Sequence, residues 1–154
     1  MRYKFIQLIL CFSLITSCGF KLVTTNNNYN LFEINLKGDK KINYILRNKL
    51  AINSNKDSPS LVKLNITTSK IKSIKEKNIK NQIAKYQIKI NIEVEYISLT
   101  NGTSNEFTLS ASSSYDVASR YSITLSNEKN LINSLVNKLA EDIQEKLTSK
   151  LNDL

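Results

Sequence analysis

The chain has 154 residues, 22 Lys and Arg against 13 Asp and Glu, a formal charge of +9, 41% hydrophobic residues, two Cys, and neither His nor Trp. That length and apolar fraction fit one domain with its own core and exclude a disordered chain. Without His, and with two Cys, a protein-held metal centre has almost no ligands to draw on, so neither a metal nor another cofactor is expected; the basic balance points instead to a polyanion or an anionic membrane surface as partner.

Met1-Arg2-Tyr3-Lys4 is a positively charged start, followed by an apolar run from Phe5 to Ile15 and then Thr16-Ser17-Cys18. The run is too short to span a bilayer and ends in small residues, which is the pattern of a secretory signal. Ile15-Thr16-Ser17-Cys18 resembles the lipobox of bacterial lipoproteins, in which the Cys is acylated on its thiol and becomes the first residue of the mature chain. The resemblance implies a signal peptide over residues 1–17, lipidation with palmitate-type chains at Cys18, and a mature chain with neither a free thiol nor a disulfide. Several acyl chains, each contributing about 0.8 kcal/mol per buried methylene, make such an anchor effectively permanent. Gly19 after the Cys resembles the default for export to the outer membrane, so the expected location is that membrane, lipid-anchored on its periplasmic side. Cytoplasmic nucleic acid then drops out as a partner.

Residues 18–28, ending Thr24-Thr25-Asn26-Asn27-Asn28, comprise the lipidated Cys and a polar tether, and 29–154 a single domain. A first strand is predicted over residues 29–36, with Phe32, Ile34 and Leu36 alternating with Glu33 and Asn35. Asp39 caps a helix running to residue 52, whose Ile42, Ile45, Leu46 and Leu50 share one face. Pro59 sits in the turn that closes this unit. A second strand starts at Leu61, with Val62, Leu64 and Ile66 on one face, and dissolves into the lysine-rich stretch from Lys70 to Lys77. The third strand is the clearest element, Tyr86 to Tyr96, alternating apolar with polar throughout; a shift of parity to Ile97 and Leu99 predicts a bulge near residue 96. Asn101-Gly102 predicts a two-residue type I′ turn. Phe107, Leu109, Ala111, Ser113, Tyr115 and Val117 are in phase on a fourth strand, and Ser126 opens a long helix with a stripe from Leu131 to Leu147. The order β-α-β-β-β-α predicts an α+β fold with two helices packed on one face of a mainly antiparallel four-stranded sheet.

Cys18-Gly19-Phe20-Lys21-Leu22, Ala84-Lys85-Tyr86-Gln87 at the start of the third strand, and Ala118-Ser119-Arg120-Tyr121 before the last helix together resemble the lipopolysaccharide-assembly lipoproteins called LptE. The resemblance implies a non-enzymatic protein that plugs the outer-membrane β-barrel LptD, helps that barrel assemble and contacts lipopolysaccharide on its way to the cell surface. A lipid-carrying lipoprotein of the lipoprotein-receptor type, with a sheet curved around an acyl chain, is the alternative.

Nothing in the residues nominates a catalytic centre: Ser–Lys neighbours such as Ser69-Lys70 lie in a solvated basic stretch, and Glu93 and Glu95 share the wet face of a strand. The charge is more informative. Arg2 and Lys4 leave with the signal peptide, and between residues 61 and 89 eight lysines stand against Glu76 alone, while the rest of the mature chain carries 12 basic and 12 acidic side chains. Lys70, Lys72, Lys75, Lys77, Lys80 and Lys85, joined by Arg120, are therefore the candidate contacts for an anionic lipid or an acidic barrel lumen. The competing reading is a lysine excess from base composition, left as a solvated face.

Overall fold

The computed structural model describes residues 29–52 and 54–152. The predicted signal peptide, Cys18 and the tether lie outside them. The elements are β1 (Asn30–Gly38), α1 (Lys40–Ile52), β2 (Leu61–Lys77), β3 (Ile83–Ser98), β4 (Ser104–Asp116) and α2 (Tyr121–Asn152). The four strands form one sheet in the order β1-β2-β3-β4; β1 runs parallel to β2, and the other neighbours are antiparallel. This is the predicted α+β fold, with one parallel pair that follows from the helical connection between β1 and β2.

Alternation along β2 and β3 sends Val62, Leu64, Ile66, Ile88, Ile90, Ile92, Val94 and Tyr96 to one side of the sheet, where all are buried. The helices cover that side. Ile42, Leu46 and Leu50 come from α1, and Ile132, Val136, Leu139, Ala140, Ile143 and Leu147 from α2, all within one core. Asp39 caps α1 as predicted, its Oδ1 accepting from the Lys41 and Ile42 backbone N–H groups at 3.0 and 3.1 Å. Gly38 makes the bend before it at φ +101°, where a Cβ would stand 1.9 Å from the Thr68 carbonyl oxygen, so no other residue fits. Tyr29 is buried at the start of β1, and burial pushes its hydroxyl up to about 12, with Thr148 acting in the opposite direction.

Five local expectations are corrected. β1 has a register shift between Leu31 and Glu33, so Leu31 packs inward and Phe32, predicted in phase with Ile34, is left 67% exposed. β2 does not dissolve at Lys70: it stays paired with β3 as far as Lys77, opposite Ile83, because ladder hydrogen bonds do not require a buried face. β3 carries no bulge at residue 96; Ser98 is buried in phase with Tyr96, and Leu99 falls in the turn. That turn is longer than two residues. Gly102 has φ +71° but Asn101 does not share a positive φ, and the Gly102 N–H donates to the Ser98 carbonyl while Ser98 N–H donates to Thr103. Lastly, α2 starts at Tyr121, five residues before Ser126. Its first free N–H groups, those of Ile123 and Thr124, donate to the Arg120 backbone carbonyl, and the Thr124 hydroxyl accepts from Ala118 N–H at 2.9 Å. Arg120 lacks the side-chain oxygen by which an N-cap is recognised in sequence.

Candidate functional site

β2 and β3 run on past the body of the sheet. β1 pairs with β2 only as far as Thr68, and β4 pairs with β3 only down to Lys85, so the hairpin beyond these points stands clear, its residues from Lys70 to Gln82 exposed. Its tip turns through Asn78–Gln82: the Asn78 N–H donates to the Gln82 carbonyl at 2.8 Å, the Asn81 N–H to Asn78 at 2.9 Å, and Asn81 takes φ 59°. This is a three-residue hairpin loop with Asn in the position that glycine usually takes. The Asn78 side chain fixes it, accepting from the Lys80 and Gln82 backbone N–H groups at 2.9 Å each.

The segment before α2 lies at the same end of the molecule. Val117 N–H donates to the Ala84 carbonyl at 2.9 Å, which places Arg120 and the first turn of α2 beside the base of the hairpin. Large apolar side chains left in solvent gather here: Ile71, Ile74 and Ile79 on the hairpin, and Val117, Tyr121, Ile123 and Leu125 around the start of α2. Phe32, Tyr44, Ile52 and Leu99 are the exposed ones elsewhere. A concentration of that kind on a soluble face marks a contact surface.

The structure brings the predicted cations to this end but gives them unequal roles. Lys70 pairs with Asp39 at 3.1 Å and Lys72 with Glu128 at 2.6 Å. Lys85 lies 3.0 Å from Glu76 and 3.9 Å from Asp116. Lys72 belongs to a small cluster that ties four elements together. Its Nζ stands 4.3 Å from the Tyr86 ring centroid and 5.5 Å from that of Tyr115, the two rings stack at 5.7 Å, and the Tyr115 hydroxyl donates to Glu128 at 2.7 Å. Burial opposes charge on both Lys72 and Glu128, but their mutual hydrogen bond and the Tyr115 hydroxyl win: the ammonium is held above its ordinary range and the carboxyl below its own. Asp39 likewise stays below its ordinary value, burial being outweighed by the Ile42 amide and by Lys70.

Lys75, Lys77, Lys80 and Arg120 remain, and among the described residues none of them forms an ion pair. Lys75 donates to Ser114 Oγ at 3.2 Å and Lys77 to Asn81 Oδ1 at 3.1 Å. The candidate site is therefore an end that carries unneutralised cations and bare apolar side chains together. Sequence reading missed the apolar half, because the lysines of this stretch mark it as solvated and no local signal sets Ile71, Ile74 and Ile79 apart from them.

Among the described residues no cluster of His, Cys, Asp and Glu converges as a metal site requires, and no helix is long and apolar enough to cross a membrane. No protein-family model matches the chain, and no curated protein matches it in sequence. Solved structures do. Rare lipoprotein B from Shewanella oneidensis superposes with a TM-score of 0.58 at 18% identity, covering 79% of this chain and 97% of that one. A Caulobacter crescentus CB15 chain described as a lipoprotein gives 0.56 at 17% identity, over 78% and 90% of the two chains. Lipoprotein B from Nitrosomonas europaea gives 0.52 at 10% identity, over 87% and 93%. What they share with this chain is the fold.

Proposed function

We propose that this protein is a lipoprotein, acylated at Cys18 and held on the periplasmic side of the outer membrane, that plugs an LptD-type β-barrel, assists its assembly and contacts lipopolysaccharide in transit. It acts by binding, not by catalysis. The observation that carries the reading is the end of the molecule where Lys75, Lys77, Lys80 and Arg120 stand among Ile71, Ile74, Ile79 and Tyr121. An amphiphile with phosphates beside acyl chains matches that mixture of charge and apolar surface, which neither a plain polyanion nor a neutral lipid would use in full. The lipoprotein neighbours in fold and the lipobox-like start support the anchored location.

β1 starts at Asn30, which pairs with Leu61, while the tip lies at the far end of β2. Seventeen strand residues at about 3.3 Å each separate the two by roughly 56 Å. The lipid-carrier alternative is less favoured, since the covered side of the sheet is filled by side chains of α1 and α2.

Two measurements test the proposal on the full chain in detergent. Lipopolysaccharide binding should be strong at low salt, weaken as salt rises, and fall at least tenfold in Lys75→Glu/Lys77→Glu/Lys80→Glu; binding that ignores both changes would sink the lipid contact. Co-purification should bring down one large β-barrel, and recovery of the lipoprotein alone would remove the plug.

A further inference from the structure

The two edges of the sheet are finished differently. On β1, the outward Leu31 N–H donates to Ser54 Oγ at 2.8 Å and the Ile34 carbonyl accepts from Arg47 Nη2 at 3.1 Å, so side chains from α1 and the following loop occupy the free edge. The register shift at Leu31/Glu33 breaks it further. These are the devices by which an edge is closed to other strands.

β4 has none of them along its middle. Its register with β3 is continuous from Lys85↔Asp116 to Ile97↔Ser104, with neither Pro nor Lys in the strand and no charge between Phe107 and Tyr115. The bonds Ser98 N–H to Thr103 and Val117 N–H to Ala84 set the phase of the ladder: odd-numbered β4 residues face β3, and Glu106, Thr108, Ser110, Ser112, Ser114 and Asp116 turn their backbone groups outward. Of these outward groups, the Asp116 carbonyl is taken by the Asn127 side chain at 3.2 Å. From Thr108 to Ser114 the edge is bare among the described residues.

We infer that this edge pairs with the same edge of a second copy of the chain, antiparallel about a two-fold axis at Ser110, joining two sheets into one. Charge selects the occupant and the register. Glu106 lies directly opposite Glu95 in its own sheet and has no cation among the described residues, an unfavourable like-charge pair. Lys75 reaches across β3 to place its Nζ on the Ser114 hydroxyl, at the rim of the same edge. With Ser110 opposite Ser110 of the second copy, Thr108 meets Ser112, and each Glu106 meets the other copy's Ser114 with its Lys75. A register displaced by two residues, with Ser110 opposite Ser112, would set Glu106 against Asp116. Isologous pairing doubles every contact; it shares Lys75 with the lipid-contact reading but requires neither barrel nor lipopolysaccharide.

The test is oxidation of single-cysteine additions in the full chain in detergent. Opposed residues of a hydrogen-bonded antiparallel pair have Cα atoms about 5.5 Å apart, within disulfide range, so Ser110→Cys should form a disulfide-linked dimer with doubled protein mass in sedimentation. Ser114→Cys, whose two copies lie eight residues apart in this register, should stay at the background of the wild-type chain, which carries the same Cys11 and Cys18. In the Ser110→Cys background, Glu106→Lys should cut the dimer yield severalfold at low salt, and adding Lys75→Glu should restore it. Equal linkage of Ser110→Cys and Ser114→Cys overturns the inference. So does linkage of Ser110→Cys mainly to a different protein, which would make the edge a docking strand for that partner.

Discussion

The hairpin of β2 and β3 is one continuous ladder with two different fates. From Leu61 to Thr68 its β2 arm lies between β1 and β3 under two helices, and Val62, Leu64 and Ile66 are buried. From Lys70 to Lys77 the same strand has β3 on one side and, among the described residues, is met from above only through the Lys70–Asp39 and Lys72–Glu128 pairs, and its isoleucines stand half or more exposed. Backbone pairing is alike in both halves, so hydrogen bonds do not distinguish them. Burial does: at about 25 cal/mol per Å² of apolar surface removed from water, the first half stabilises the fold and the second contributes little. Thr68 marks the border. It is buried, its hydroxyl accepting from Asp39 N–H at 3.1 Å and donating to Asn43 Oδ1 at 2.7 Å. A half that stabilises little is free to serve contact, which is where the unneutralised cations lie.

This contrast can be broken most severely from the buried side. Ile90→Ala opens a cavity under α2 and should cost about 2–5 kcal/mol in denaturant unfolding. At the border, Gly38→Ala combines an unfavourable φ with collision against the Thr68 carbonyl and should cost at least about 1–3 kcal/mol. Where the projecting half is tied down, Lys72→Ala leaves Glu128 with Tyr115 alone and should cost about 1–3 kcal/mol.

The two ion pairs that tie this half to the body, Lys70–Asp39 and Lys72–Glu128, carry a pH signature. Because Asp39 and Glu128 are held below their ordinary values of 3.8 and 4.5, their stabilisation is complete above those values and is lost as pH falls through the depressed ones. Acid unfolding followed by circular dichroism should therefore steepen below about pH 4, and Glu128→Gln should flatten that dependence while lowering stability at neutral pH. The smallest effect belongs to the tip. Ile79→Ser should leave the unfolding midpoint within about 0.5 kcal/mol of the parent, yet weaken lipopolysaccharide binding. A large loss of stability there would mean that the tip is covered after all.

Much of the architecture was legible because it rests on local periodicity. Strict alternation from Tyr86 to Tyr96 marked β3, Asp39 before Ile42, Leu46 and Leu50 marked α1, and the stripe Leu131 to Leu147 marked α2. Where local signals were absent, prediction slipped: Arg120 has no capping oxygen, so five residues of α2 went unseen, and the β1 register shift moved Phe32 outward without any marker in composition. For the candidate site the lysine cluster was countable, but its division was not. The partners Asp39 and Glu128 lie 31 and 56 residues from Lys70 and Lys72, and separations of that size are closed only by the sheet and by α2 packing on it.

The sequence by itself determined the element order, the buried faces of β2, β3 and α2, and the gathering of positive charge in one 29-residue stretch, because each is written in spacing along a single strand or helix. The tertiary structure decided which lysines are neutralised, that seven exposed apolar side chains share their end, and that one sheet edge is capped while the other is open. The physical reason is distance in sequence. Pairing, covering and edge protection are made between segments that meet only after folding, and no local pattern encodes a partner that arrives from elsewhere in the chain.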